Sequence, residues 1–137
     1  MAVISCLNNG LGPKMQSLLL KLGKDFPGLR FAPGEAFCWS PKTKTVIYSQ
    51  DRHLPSDEWA LLHEVGHALL DHQNYQSDLE LISLETKAWE KAKQLANHYD
   101  IVIDVDHIED CMDTYRDWLH QRSACPVCDT RSLQQDA

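Results

Sequence analysis

The amino-acid sequence predicts an α+β domain in which a small sheet lies beside a helical layer. Three observations carry this. Residues 29–50 hold short β-branched and aromatic runs separated by turn signals. Three segments after residue 55 open on capping residues and repeat apolar positions at helical spacing. A shorter helical pattern precedes the β region.

Asn8-Asn9-Gly10-Leu11-Gly12-Pro13 reads as a loop leading into the N-terminal helix, with Pro13 near its first position. Met15, Leu18, Leu19 and Leu22 form its apolar face, and Phe26-Pro27-Gly28 ends it. Leu29 to Phe31, Ala36 to Trp39 and Thr45 to Tyr48 are strand candidates, joined by Pro33-Gly34 and Ser40 to Lys44. They read as a small antiparallel meander, too small to stand alone. The first long helix should start at an N-cap Ser56, with Asp57 and Glu58 at the positive end of its dipole, and reach about His72. Ser77-Asp78-Leu79-Glu80 has capping-box spacing and opens the second, to about Tyr99. The last begins near Asp106, on an Asp variant of that box, and reaches about Gln121. Residues 1–122 therefore form one domain, and 123–137 a loop-like tail.

Composition narrows the function without naming it. The chain of 137 residues carries 20 acids against 13 bases, a formal net charge of -7. That balance argues against binding driven by nucleic-acid phosphates or an anionic membrane. No run approaches a membrane span, and the apolar stretch from Met15 is too interrupted for a signal peptide. Five cysteines is an odd number, which favours a reducing, cytoplasmic setting over a secreted disulfide framework.

One motif carries chemistry. His63-Glu64-Val65-Gly66-His67 is H-E-x-x-H, inside a predicted helix. Residues four apart share a helix face, so the two imidazoles can hold one zinc ion. Glu64 lies about 100° round the helix, beside the ion, where it can deprotonate a bound water as general base. Leu61, Leu62, Val65, Ala68 and Leu69 supply a face to bury the motif. Gly66, a poor helix former at mid-helix, implies close approach by another backbone.

A catalytic zinc usually takes three protein ligands. On a continuous helix His72 points about 140° from His67 and about 180° from His63, which predicts a solvated or helix-terminal role. The next helix offers Glu80, Glu85 and Glu90. Its apolar stripe runs through Leu81, Leu84, Ala88, Ala92, Leu95 and Tyr99, and Glu85 falls about 40° from the middle of it. A carboxylate on a buried face needs a partner, and a metal would be that partner. Glu85 is thus the expected third ligand, the alternative being a plain salt bridge; Ala88 and Ala92 would let the helices approach, and a fourth position would stay open for water.

His63 to His72, followed by Glu85-Thr86-Lys87-Ala88-Trp89, resembles the ImmA/IrrE-type zinc metallopeptidases and is similar to the minimal gluzincins, or minigluzincins. The resemblance covers roughly Val46 to Tyr99. It implies a minimal zincin domain hydrolysing peptide bonds, with zinc on His63, His67 and Glu85 and Glu64 as base. It also implies a sheet edge strand, here Thr45 to Gln50, that holds an extended peptide antiparallel. Some relatives cleave helix-turn-helix repressors, so the partner the resemblance implies is a peptide or protein, with such a repressor as one candidate. Trp89 departs from the pattern, since many zincins carry Asp or Asn there.

Cys125-Pro126-Val127-Cys128 is one half of a zinc-knuckle pattern. Cys6, Cys38, Cys111, His107, His120 or a second subunit would have to complete it as a second zinc site. Tyr48, Tyr75, Tyr99, Tyr115 and His53 are all suited to stabilise a developing oxyanion opposite Glu64. Asp113 to Trp118 reads as an ion-paired surface with Trp118 turned inward. The alternative to a peptidase is a non-catalytic or latent zinc module that binds a partner, motivated by the small size, Trp89 and the unfinished cysteine pair.

Overall fold

A computed structural model describes residues 12–50 and 54–122. Its elements are α1 (Pro13–Asp25), β1 (Arg30–Gly34), β2 (Cys38–Ser40), β3 (Thr45–Ser49), α2 (Ser56–Leu69), α3 (Asp78–His98) and α4 (Val105–Arg122). The architecture is α+β: four helices and one three-stranded sheet. Helix α2 packs on α3, on β2 and β3, and on α1, while α4 packs on α3.

The sheet is mixed, not the antiparallel meander the strand spacing suggests. Its order is β1-β3-β2, with β3 parallel to β1 and antiparallel to β2. Thr45–Ser49 is therefore the central strand and not the expected edge strand; the edges are Arg30–Gly34 and Cys38–Ser40. Two features of the chain explain the order. Pro33 has no N–H to donate, which suits β1 to an edge. Val46 and Tyr48 are fully buried, as a central strand covered by α2 requires. In β1, Gly34 leaves room for the Ile47 side chain, which a Cβ there would strike.

Local capping chemistry sets the helix starts. Ser77 Oγ accepts the Glu80 N–H at 3.1 Å, as the capping box predicts. Ser56 is instead the first residue of α2, after Pro55 at the cap position. Asp57 Oδ2 accepts the Leu54 N–H at 3.1 Å and closes that turn. Asp104, not Asp106, caps α4: its Oδ1 accepts the Asp106 N–H at 2.9 Å.

The core joins every layer. Leu18, Leu19 and Leu22 of α1 meet Phe31, Val46 and Tyr48 of the sheet and Leu61, Leu62 and Val65 of α2. Trp89, Ala92 and Leu95 of α3 and Ile108 and Met112 of α4 complete it. Among the described residues, no helix is long and apolar enough to cross a membrane.

Candidate metal centre

The α2–α3 interface is unusually close, and Gly66 is the reason. A Cβ at Gly66 would lie 2.5 Å from the Ala88 carbonyl oxygen and 3.3 Å from the Ala88 carbonyl carbon. The backbones touch where the absent side chain leaves space, with Ala88 and Ala92 fully buried across the seam. This approach brings the H-E-x-x-H face of α2 against Glu85 of α3.

His63, His67 and Glu85 are buried, at 7%, 9% and 7% exposure. His63 Nε2 lies 3.0 Å from Glu85 Oε1, and His67 Nε2 lies 2.8 Å from Glu85 Oε2. The two Nε2 atoms are 3.2 Å apart. Donor atoms around a tetrahedral ion with bonds of about 2.0–2.1 Å are spaced about 3.3 Å. The group therefore fits a metal ion after opening by a few tenths of an ångström. Glu80 and Glu90 are exposed, so of the three candidate glutamates only Glu85 joins the histidines. Burial opposes ionisation of Glu85, but hydrogen bonds to His63 and His67 outweigh it and hold its carboxyl well below the usual range.

Glu64 lines the cavity in front of this group, together with Trp39, Tyr75, His107 and Tyr115. The cavity measures about 530 Å³. Burial pushes the Glu64 carboxyl upward, while His63, His67 and the Trp39 backbone N–H of β2 partly offset that rise. Of the oxyanion candidates, Tyr115 and Tyr75 reach the cavity. Burial, the adjacent Glu85 carboxylate and a hydrogen bond to that carboxylate push the Tyr115 phenol up and keep it protonated. Tyr48 is fully buried in the core, and Tyr99 donates to Asp25 Oδ2 at 2.6 Å instead. His53 lies outside the described residues.

Of the two roles expected for His72, the structure gives it the helix-terminal one, and buried rather than solvated. Helix α2 stops at Leu69, three residues short of the expected end. Asp71 then adopts a left-handed φ of 52°. The Asp71 N–H bonds the Ala68 carbonyl at 3.1 Å, and the His72 N–H bonds the His67 carbonyl at 3.0 Å. That pair of bonds is a Schellman motif, with Asp in the place glycine usually takes. The reversal buries His72 to 9% exposure and sets its Nδ1 2.8 Å from His67 Nδ1. Burial, then His67, lower its pKa and favour the neutral ring. The helical projection assumed a continuous helix, and the sequence signal against it was Asp71, a residue that tolerates this conformation.

Trp89 packs against His63, with ring centroids 4.2 Å apart and planes 33° from parallel. Neither His63 Nδ1 nor Trp89 Nε1 has a hydrogen-bond partner among the described residues. Where an Asp or Asn would hold a ring by hydrogen bonding, Trp89 holds it by contact. Cys125 and Cys128, the expected second zinc half-site, lie outside the described residues, as does Cys6. Cys111 Sγ sits 3.7 Å from His107 Nε2, and Cys38 and Cys111 are free thiols on the cavity wall. On α4, Arg116 pairs with Asp113 at 2.7 Å and Glu109 at 3.5 Å, the ion pairing expected there, while the Trp118 side chain lies outside the described residues. No family model, curated protein or solved structure matches this chain.

Proposed function

We propose that the chain is a zinc-dependent endopeptidase of the minimal gluzincin kind, resembling the ImmA/IrrE-type enzymes. The observation that supports this most is the convergence of His63, His67 and Glu85, from two helices, beside Glu64 in one open cavity. His63, His67 and Glu85 would hold zinc, which when bound would polarise a peptide carbonyl and acidify water.

The chain's own residues supply the rest. Glu64 takes the proton of the attacking water and returns it to the leaving amine. Its raised proton affinity suits both halves of that task. Tyr115, turning its hydroxyl from Glu85, donates a hydrogen bond to the carbonyl oxygen as negative charge develops there and keeps its proton. The outer edge of β2, not of β3, receives an extended peptide by strand addition, because β2 borders both the cavity and Glu64. The substrate class is a peptide or protein, with a helix-turn-helix repressor as the specific candidate the resemblance offers.

A peptide-library cleavage assay with and without chelator tests this. Chelator-sensitive cleavage that disappears in Glu64→Gln while metal content stays constant is the expected result. A metal-loaded chain that cleaves nothing would favour the non-catalytic or latent module, and full-rate cleavage by Glu64→Gln would refute the mechanism.

A further inference from the structure

We propose that His72 is a positioning residue for the metal centre: its imidazole sets the tautomer and ring rotation of His67. The inference rests on the metal reading above and extends it to a residue outside the ligand set.

The argument starts from which nitrogen of His67 does what. Nε2 faces Glu85 Oε2 at 2.8 Å and His63 Nε2 at 3.2 Å, so it is the ligand atom. Nδ1, on the other side of the ring, meets His72 Nδ1 at 2.8 Å. Two imidazole nitrogens at that distance share one proton, one donating and one accepting. A metal needs the lone pair of Nε2, so the proton of His67 belongs on Nδ1. His67 therefore donates, His72 Nδ1 accepts, and His72 carries its own proton on Nε2. Ligating histidines generally use their second nitrogen in this way, with a carboxylate, carbonyl or water as acceptor. Here a second imidazole fills that place.

His72 is itself fixed from two directions. Its N–H is bound to the His67 carbonyl by the left-handed turn at Asp71. Its carbonyl accepts the Trp39 indole N–H at 3.0 Å. Trp39 belongs to β2, so the strand proposed to hold the peptide is tied through His72 to a ligand ring. His63 has no such arrangement: its Nδ1 lacks a hydrogen-bond partner among the described residues, and Trp89 packs on its ring.

The test uses the full chain carrying Cys125→Ser and Cys128→Ser, so that only the His-Glu site is read. His72→Phe keeps a ring and loses the acceptor. His72→Asn places a carbonyl oxygen near the position of Nδ1. Zn2+ affinity by chelator competition should fall about 10–100-fold in His72→Phe, and His72→Asn should recover most of it. The Co2+ visible spectrum should change in His72→Phe and return toward wild type in His72→Asn. Melting of each variant in chelator separates a loss of fold from a loss of positioning. Independently of any variant, 15N spectra of the zinc-loaded parent read the tautomers. Protonated Nδ1 on His67 with protonated Nε2 on His72 is expected, and the opposite assignment overturns the proposal. Unchanged affinity and Co2+ spectrum in His72→Phe also overturn it. A parent chain that takes up neither Zn2+ nor Co2+ would overturn the metal reading itself, and this proposal with it.

Discussion

Replacing Gly66 by alanine separates two forces of opposite sign. In an isolated helix the change is favourable by about 1 kcal/mol, because alanine loses less backbone entropy than glycine. In this chain the new Cβ would stand 2.5 Å from the Ala88 carbonyl oxygen, about 0.9 Å inside ordinary contact at 3.4 Å. The obstructing atoms are backbone, so no rotamer change relieves them. Overpacking of this kind costs about 1–3 kcal/mol, and a clash between two helix backbones belongs near the top of that range. The net expectation is a loss of about 2 kcal/mol, read by urea denaturation in chelator. The helices must also separate by up to that 0.9 Å, which exceeds the ~0.2 Å tolerance of a metal–ligand bond. Gly66→Ala should therefore weaken Zn2+ binding as well as stability. A variant as stable as the parent, or more so, would refute the close approach of α2 to α3 and the ligand geometry that depends on it.

Other expectations follow from single contacts. Tyr115→Phe, which also removes a hydrogen bond to Glu85, should lower kcat of the fully zinc-loaded chain by about 100-fold or more with a smaller change in KM, read by steady-state kinetics on a cleaved peptide. Glu64→Gln should retain one ion and lose at least about 100-fold in kcat. Tyr99→Phe should cost about 1 kcal/mol at neutral pH by removing the 2.6 Å bond to Asp25. Burial and Asp25 raise the Tyr99 pKa above its ordinary 10, so its contribution is complete below pH 10 and is lost as pH rises through the folded value. The stability gap between parent and variant should accordingly narrow above pH 10 in denaturation series. Lys44→Ala, which removes an exposed ion pair with Asp71, should change stability by less than about 1 kcal/mol.

Much of the centre was legible because helical periodicity is a local rule. The four-residue spacing of His63 and His67 and the angular position of Glu85 on the stripe of α3 both follow from 3.6 residues per turn. Gly66 announced the backbone contact that joins them. The rest depended on where regularity stops. The helix-terminal place of His72 was legible, but its contact with His67 was not, because the projection continued α2 beyond Leu69, whereas Asp71 turns the chain left-handed. Strand order was not legible, because alternation identifies a strand but not its neighbours. Thr45–Ser49 shows its central place through its pairing with both β1 and β2, and the complete burial of Val46 and Tyr48 accords with it. The approach of Tyr115 to the cavity required α4 to be packed on α3, a contact no local pattern encodes.

Metal content per chain tests the central claim most directly. The full chain with Cys125→Ser and Cys128→Ser, equilibrated with Zn2+ and desalted, should retain one ion per chain by elemental mass spectrometry. His67→Ala and Glu85→Ala in the same background should retain almost none, with far-UV circular dichroism confirming that each is folded. Zinc absent from the parent, or equally present in all three proteins, would contradict a metal centre built by His63, His67 and Glu85.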